Sequence, residues 1–264
     1  MITWIASYPK SGNTWMRLLL SGYYSDIVDI NNISRSILDY QPFFYNNLLL
    51  DSKKPSDVMH VRTTALYHMS RFFTDPLYLK THWGNYELVG VKAIPPQLTK
   101  AAIVVVRDPR DLVVSLANFY QQSYDDIIDK MNNELAGTYE DYSFYLLKDW
   151  NSYIKSWMDT SFPVIFVKYE DLLEDSVNIF TNVLKLLELP EKNMVEIAKS
   201  AQFHKIQQQE KDHGFNEAKN GATFFNNGRS VYQECLTKEQ IKKVEDHNKE
   251  MMTFLGYLKA DEDN

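Results

Sequence analysis

The first apolar segment of the chain leads into a short loop whose side chains could bind an anion. Ile2–Ala6 is apolar and largely β-branched, SYPKSGNTW follows at residues 7–15, and apolar residues then recur at helical spacing up to Tyr23. This order predicts a buried strand, a tight loop and a helix. A helix N-terminus offers unpaired backbone N–H groups and the positive end of the helix dipole to an anion. Because Lys10 adds a full positive charge and Gly12 allows close approach of the backbone, the loop is predicted to hold a phosphate group.

Polar side chains also follow three later strands of the predicted fold. They are, in chain order, Lys80-Thr81-His82, Arg107 with Ser115 in the next helix, and Lys168-Tyr169. Strands that alternate with helices form a parallel sheet with right-handed crossovers. We therefore predict a single α/β domain over residues 1–264, with a central parallel sheet flanked by helices. The carboxyl ends of parallel strands meet at one edge of the sheet, where ligands bind, so the four polar clusters are expected to converge there.

The loop differs from the phosphate-binding loop of kinases and ATPases. In that loop two glycines flank four residues and the lysine comes after them, whereas here Lys10 precedes Gly12. A kinase also needs carboxylates that bind magnesium near the phosphates. The acidic residues nearest a strand end are Asp108 and Asp111, and Asp108 is instead predicted to cap a helix that begins with Pro109. We therefore expect no metal site and keep a P-loop kinase only as an alternative.

The loop at residues 8–15 resembles the 5′-phosphosulfate loop of the sulfotransferases that use 3′-phosphoadenosine 5′-phosphosulfate (PAPS). Further segments resemble other elements of this family in the same order: Lys80–His82 the catalytic segment, Arg107–Ser115 the 3′-phosphate element, Lys168–Leu172 the adenine-contacting segment, and Phe224–Thr237 the C-terminal glycine element. Together they span nearly the whole chain. The chain is therefore identified as a member of the PAPS-dependent sulfotransferases, with their P-loop-like fold. It is most similar to the compact bacterial members that modify natural products.

The resemblance implies transfer of a sulfuryl group from PAPS to a hydroxyl or amine of a small-molecule acceptor. His82 would act as general base, and Lys10 and Lys80 would offset the charge on the transferring group. The residues that would hold the nucleotide are Lys10, Ser11, Gly12, Asn13, Thr14, Trp15, Arg107, Ser115, Tyr169, Asn226, Asn227, Gly228 and Arg229. The family needs no metal, and its product nucleotide is adenosine 3′,5′-bisphosphate (PAP). A nucleotide-binding module without catalysis is a further alternative, against which the presence of both Lys10 and His82 argues.

The resemblance also divides these residues by role. Residues 11–14 would hold the 5′-phosphate, Trp15 and Tyr169 would contact adenine, and Arg107 and Ser115 would bind the 3′-phosphate.

The C-terminal element departs from the family pattern. Where the family has Arg-Lys-Gly, this chain has Asn226-Asn227-Gly228, followed by Arg229. Two positive charges that would bind the 3′-phosphate are therefore missing. Either Arg229 supplies a charge from the neighbouring position or the asparagine amides donate uncharged hydrogen bonds, and both alternatives stay open.

Composition excludes several classes of protein. The formal net charge of −7 over 264 residues argues against a nucleic-acid-binding protein with a broad basic surface. The single cysteine, Cys235, excludes an internal disulfide framework and indicates a reducing compartment. No apolar run reaches the length of a transmembrane helix, and no signal peptide is recognised. We predict a cytoplasmic protein without nucleic-acid or membrane partners, and no oligomeric state follows from the sequence.

The acceptor pocket is expected to form from the least patterned segments. They are Asn31–Tyr45 with its aromatic residues, Thr81–Tyr86, Gln121–Tyr145 and the polar stretch 203–234. This last stretch contains three glycines and few aliphatic residues, so it is predicted to be a lid or binding loop. Enzymes of the same class that act on glycans, lipids or proteins stay open as alternatives.

Other local patterns predict secondary structure away from the strand ends. Spacing of apolar residues predicts a helix over Tyr142–Met158 and a short helix through residues 33–38. Thr237 and Gln240 form the pattern of a capping box at the start of the last helix. Residues 260–264 are predicted to be a frayed tail.

Overall fold

The structure, a computed structural model of the chain, describes residues 1–33, 37–38, 55–72, 76–133, 136–138, 144–218, 223–226 and 228–260. Some expectations from the sequence fall outside these residues. They concern the aromatic cluster at residues 40–45, Asn227 of the C-terminal element, and most of the predicted tail.

The secondary structure alternates between strands and helices along most of the chain. The described strands are β1 Ile2–Ser7, β2 Ile37–Leu38, β3 Leu77–Thr81, β4 Glu87–Leu88, β5 Val91–Lys92, β6 Thr99–Val106, β7 Ala136–Thr138, β8 Phe144–Leu146 and β9 Val164–Lys168. The described α-helices are α1 Asn13–Ser25, α2 Pro55–Phe72, α3 Pro109–Tyr120, α4 Tyr124–Met131, α5 Trp150–Ser156, α6 Tyr169–Glu174, α7 Ser176–Leu186, α8 Met194–Ser200, α9 Phe203–His213, α10 Tyr232–Cys235 and α11 Lys238–Phe254. Within the described ranges, no helix combines the length and apolar character needed to cross a bilayer.

One parallel sheet brings the predicted polar clusters to a common edge. Its strand order is β2-β3-β1-β6-β9. Ser7 of β1 lies beside Val105 of β6, and Val106 lies beside Lys168 of β9, while β3 ends at Thr81. The carboxyl ends of these strands therefore reach the same edge. The predicted single α/β domain with a central parallel sheet is confirmed.

Helices cover both faces of the sheet. Trp4 and Val104 belong to one hydrophobic cluster, which includes residues of α2, α3, α5 and α11. Ile5 and Ile103, which point to the opposite face, belong to a second cluster with residues of α1, α7, α8 and α9. Because β1 is covered on both sides, all six of its residues are buried and its sequence is almost continuously apolar.

The helix caps predicted from the sequence are present. Asp108 precedes α3, and its side chain accepts a hydrogen bond from the backbone N–H of Arg110 at 2.9 Å. The capping box of α11 forms in both directions, since Thr237 Oγ1 accepts from Gln240 N and Gln240 Oε1 accepts from Thr237 N.

One predicted helix is wrong in its first part and another is wrong throughout its described residues. The first part of the predicted helix Tyr142–Met158 is strand β8, which pairs antiparallel with β7. The helix begins only at Trp150, because Asp149 caps it by accepting a hydrogen bond from Ser152 N at 2.9 Å. Ile37–Leu38 is strand β2 beside β3, not part of a helix. In both places strand pairing overrides the local spacing of apolar residues: β8 pairs with the preceding strand β7, and β2 pairs with β3, which lies beyond α2.

The polar stretch 203–234 is more regular than predicted. It begins with the helix α9, which ends at Gly214 with a φ of +71°. Ile206 and Glu210 are its buried residues, so the apolar stripe of α9 is too narrow for a periodic pattern to appear in the sequence.

Candidate functional site

A cavity of about 630 Å³ opens at the carboxyl edge of the sheet. Its wall includes these sequence-predicted site residues: Lys10, Gly12, Asn13, Thr14, Trp15, Lys80, His82, Arg107, Ser115, Tyr169, Asn226 and Gly228. The convergence expected from a parallel sheet therefore occurs. Ser11 lies within the same loop but is fully buried, and Arg229 does not line the cavity.

The loop between β1 and α1 makes a tight turn that only glycine fits at one position. Gly12 has a φ of +101°, and a Cβ atom there would lie 2.6 Å from Cδ2 of the Tyr169 ring. The backbone of the loop is closed by hydrogen bonds from Ser11 N to Tyr8 O and from Trp15 N to Gly12 O. The loop and the first turn of α1, residues Tyr8–Trp15, are called the phosphate cradle below.

The polar side chains of the cradle have different partners. Asn13 Nδ2 donates to the backbone oxygen of Ile5 at 2.9 Å, so this side chain holds the cradle against β1. Ser11 Oγ is buried and has no hydrogen-bond partner among the described residues. A buried hydroxyl without a partner is costly, and an oxygen atom of a bound anion would satisfy it.

Lys10 is enclosed by aromatic rings. Its Nζ atom lies 3.4 Å from the centroid of the Phe224 ring and 4.5 Å from that of Phe119. Burial, followed by the nearby charge of Arg107, lowers the pKa of Lys10 to about 7. The Lys10 ammonium group is therefore only partly compensated by negative charge, and a bound anion beside it would stabilise its charged form.

His82 follows β3 and faces the cavity with a defined ring orientation. Its Nδ1 atom lies 2.8 Å from the backbone oxygen of Ser7. A carbonyl oxygen only accepts hydrogen bonds, so Nδ1 carries the proton in the neutral ring and Nε2 carries the lone pair. The ring is thus in the tautomer that a general base requires.

Arg107, at the end of β6, lies against Tyr169 at the end of β9. The guanidinium carbon is 4.6 Å from the centre of the Tyr169 ring, and Nη1 donates to the backbone oxygen of Lys10 at 3.3 Å. Its Nε atom is buried without a partner among the described residues. Ser115, on helix α3, is half-buried in the wall of the same cavity. Arg107 and Ser115 would form a second anion site, in addition to the phosphate cradle.

An aromatic cluster adjoins both of these sites, since Trp15 belongs to the cradle and Tyr169 lies against Arg107. The rings of Trp15 and Tyr169 are 5.7 Å apart, and those of Trp15 and Phe203 are 6.4 Å apart, in edge-to-face geometry. Trp15 Nε1 is buried without a partner within the described part of the chain. A flat heterocycle with acceptor nitrogens would suit these surroundings.

The C-terminal glycine element is held by α9. Gln207 Nε2 donates to the backbone oxygens of Phe225 and Asn226 at 2.9 and 2.7 Å. Glu210 accepts from the backbone N–H groups of Phe224 and Phe225. These contacts bring Asn226 to the cavity wall.

Arg229 faces away from the cavity. Its guanidinium donates to both carboxylate oxygens of Glu234 at 2.6 and 3.0 Å, and its side chain is 61% exposed. The structure therefore does not bring Arg229 to the predicted 3′-phosphate site.

Phe203 and Glu217 line the cavity but were not predicted from the sequence, and neither was Arg17, which contacts Glu217 without lining the cavity. Arg17, one turn into α1, is buried and donates from Nη1 to Glu217 Oε1 at 2.6 Å. Phe203 joins the aromatic cluster. Glu217 belongs to the polar stretch, where no periodic pattern marks it. A charged residue on the otherwise apolar stripe of α1 was the available signal for Arg17.

No group of three or more His, Cys, Asp or Glu side chains is arranged to hold a metal ion within the residues that the structure describes.

The chain is similar in sequence to mammalian sulfotransferases. It is 25% identical to sulfotransferase 1 family member D1 of Mus musculus over an alignment of 269 positions that covers 92% of this chain and 83% of the mouse protein. It is 24% identical to sulfotransferase 1A1 of Rattus norvegicus, over 77% of this chain and 66% of the rat protein.

Solved structures share the fold. Mouse sulfotransferase SULT7A1, complexed with PAP, superposes with a TM-score of 0.62 at 18% identity, covering 95% of this chain and 84% of the mouse chain. Retinol dehydratase in a complex with retinol and PAP gives a TM-score of 0.61 at 19% identity, covering 95% and 81% of the two chains.

The family match covers nearly the entire chain. Residues 2–256 match the sulfotransferase domain. The chain therefore belongs to the sulfotransferase domain family, the family of the PAPS-dependent sulfotransferases.

Proposed function

We propose that this protein transfers a sulfuryl group from PAPS to a hydroxyl or amine of a small-molecule acceptor. The observation that carries the proposal is the meeting of the phosphate cradle, Arg107 and His82 in one cavity. The cradle and Arg107 would provide two anion sites, and both adjoin the cluster of Trp15, Tyr169 and Phe203. This arrangement suits a nucleotide with an anionic group at each end of its ribose.

The buried donors support the binding of such a nucleotide. Ser11 Oγ and the backbone of the cradle would bind the 5′-phosphate side. Arg107, Ser115 and Asn226 would bind the 3′-phosphate, and Arg229 would join them only by leaving Glu234. The adenine ring would lie among Trp15, Tyr169 and Phe203. When bound, PAPS supplies an activated sulfuryl group and a phosphate leaving group.

The orientation of His82 supports its role as general base. The acceptor oxygen or nitrogen attacks sulfur in line, and its proton passes to Nε2 of His82. A bond forms between the acceptor atom and sulfur, and the bond between sulfur and the bridging phosphate oxygen breaks. Lys10 and Lys80 stabilise the negative charge that the leaving phosphate takes up.

The remaining cavity wall supports an apolar acceptor. The same cavity wall also carries Val114, Phe119, Ile127, Met131 and Leu147. Small-molecule pockets are mostly apolar with a few polar groups that fix orientation. Retinol dehydratase has been solved in complexes with retinol and with androsterone, which are apolar alcohols. A natural product as acceptor and a cytoplasmic location stay predictions from the sequence.

An assay with radiolabelled PAPS and a panel of hydroxyl and amine metabolites tests the proposal. We expect transfer by the wild type, loss of transfer in His82→Ala, and unchanged PAP binding in that variant. His68→Ala, which changes an exposed histidine of α2, is the matched control and should transfer normally. Failure of the wild-type protein to bind PAP would refute the proposal.

The same assay separates the alternatives. PAP binding without transfer to any metabolite would favour a nucleotide-binding module. ATP turnover that requires magnesium would favour a kinase.

A further inference from the structure

The carboxylate of Glu217, a residue of the chain itself, contacts the phosphate cradle. Glu217 Oε1 lies 2.6 Å from Arg17 Nη1, and Glu217 Oε2 lies 3.3 Å from Thr14 Oγ1. The second oxygen is also 3.5 Å from Lys80 Nζ. One carboxylate thus contacts the first turn of α1 and the end of β3, which are the two elements that would hold the 5′-phosphosulfate.

The contact is an ion pair withdrawn from solvent. The side chains of Arg17, Lys80 and Glu217 are 7%, 12% and 29% exposed. Although burial raises the pKa of Glu217, the charges of Lys80 and Arg17 outweigh burial and lower it to about 2. The carboxylate is therefore ionised at neutral pH. Removing it without a substitute would leave buried cations uncompensated, which is costly.

Arg17 has hydrogen-bonding capacity that Glu217 does not use. Its Nε atom is buried and has no partner in the described part of the chain. A tetrahedral phosphate or sulfate offers more acceptor oxygens than a carboxylate does. An exchange of Glu217 for such a group would keep the cation compensated and satisfy the unused donor.

Hydrogen bonds to Asn31 join the segment that carries Glu217 to the loop after α1. We call Phe215–Ala218, which is closed by a hydrogen bond from Ala218 N to Phe215 O, the acidic turn. Just before it, Gly214 accepts from Asn31 Nδ2 at 2.8 Å, and Asn216 N donates to Asn31 Oδ1 at 3.0 Å. These two hydrogen bonds are solvent-exposed, so they resist opening weakly. Phe215 is buried against Phe224 and Phe225, so displacement of the carboxylate requires movement of the Glu217 side chain and not release of the whole turn.

We propose that Glu217 is a built-in competitor of the nucleotide and that Arg17 is the cation for which they compete. In the nucleotide-free protein, the acidic turn neutralises Arg17 and Lys80. Nucleotide entry displaces the Glu217 carboxylate, and Arg17 then binds the 5′-phosphate side of the ligand. This inference rests on the proposed function, because it presumes that a 5′-phosphate enters the cradle.

Calorimetric titration of Glu217→Gln tests the competition. The variant keeps the size of the side chain but removes its charge, so we expect PAP to bind roughly fivefold or more tightly than to the wild type. Adenosine 3′-monophosphate, which lacks the 5′-phosphate, should bind both proteins equally. Glu196→Gln, which removes an exposed carboxylate on α8, is the control for net charge and should match the wild type.

A second substitution tests Arg17. In the Glu217→Gln background, Arg17→Gln should weaken PAP binding and leave binding of adenosine 3′-monophosphate unchanged. Unchanged PAP affinity would mean that Arg17 only partners Glu217, and it would overturn the assignment of Arg17 to the nucleotide.

The remaining outcomes separate this inference from the function on which it rests. Equal PAP affinity in the wild type and Glu217→Gln would overturn the competition alone. Absence of PAP binding in both would overturn the proposed function, and the inference with it. If Glu217→Gln does not fold, Glu217→Asp gives the same test, because its shorter side chain withdraws the carboxylate from Arg17; it should also bind PAP more tightly, and equal affinity would count against the competition.

Discussion

The Nδ1 atom of His82 lies 2.8 Å from the backbone oxygen of Ser7. This hydrogen bond joins the residue after β3 to the last residue of β1, directly before the phosphate cradle. It fixes the tautomer of the ring, because the carbonyl requires a proton on Nδ1. This contact therefore ties the candidate base to the end of the strand from which the candidate phosphate loop begins.

Substitution of His82 by asparagine separates ring orientation from proton transfer. The asparagine amide can donate to Ser7 in place of Nδ1, but Nε2 has no counterpart. We expect the turnover number with saturating PAPS to fall roughly 10²–10⁴-fold, with nearly unchanged PAP affinity. Steady-state kinetics and calorimetry measure the two effects, with His68→Asn as control. Normal turnover in His82→Asn would show that Nε2 takes no proton.

The lowered pKa of Lys10 makes nucleotide binding dependent on pH. With a pKa of about 7, Lys10 is largely neutral at pH 8 in the nucleotide-free protein. A bound phosphate stabilises the ammonium form and raises this pKa, so binding takes up a proton and PAP affinity falls as pH rises above 7. Phosphate monoesters are already fully ionised at pH 8 and do not contribute.

Calorimetry at pH 8 in buffers of different ionisation enthalpy measures this proton uptake. The wild type should take up most of one proton for each PAP bound. Lys10→Arg, whose guanidinium stays charged, should take up almost none. Equal uptake by the two proteins would assign the proton to another group.

Gly12 is needed both for its backbone conformation and for space. Gly12→Ala places a left-handed residue in the cradle, at a cost of about 1–2 kcal/mol, and its Cβ atom meets the Tyr169 ring at 2.6 Å. Gly90→Ala is a matched control, because Gly90 has a φ of +75° and no atom within 4 Å of an added Cβ. Urea denaturation should show a larger loss in the free energy of unfolding for Gly12→Ala, which should also lose PAP binding. Equal losses for the two variants would mean that the contact with Tyr169 relaxes without cost.

The two arginines offered by the sequence for the 3′-phosphate should behave differently. Arg107→Gln should weaken PAP binding at least tenfold, since it removes a charge-assisted hydrogen bond inside the cavity. Arg229→Ala should leave PAP affinity nearly unchanged, because Arg229 is paired with Glu234 on the surface. Isothermal titration of PAP compares the two variants. A large loss in Arg229→Ala would show that Arg229 leaves Glu234 when the nucleotide binds.

Local sequence was sufficient for the elements that carry the site. The run of apolar residues in β6, the cap at Asp108 and the alternation of strands with helices predicted the parallel sheet. They also predicted that the polar clusters meet at its carboxyl edge. These features depend on neighbouring residues, so a one-dimensional pattern contains them. The phosphate loop and the Lys-Thr-His segment were recognised for the same reason, because their residues are adjacent in the chain.

Only the tertiary structure decided which distant residues share the site. The sequence by itself determined the α/β class, the phosphate loop and His82 as the candidate base. It did not reveal that β2 pairs with β3, or that Glu217 reaches Arg17 across 200 positions of the chain. These contacts depend on how separate segments pack, and the polar stretch that carries Glu217 has no periodicity from which its place could be predicted.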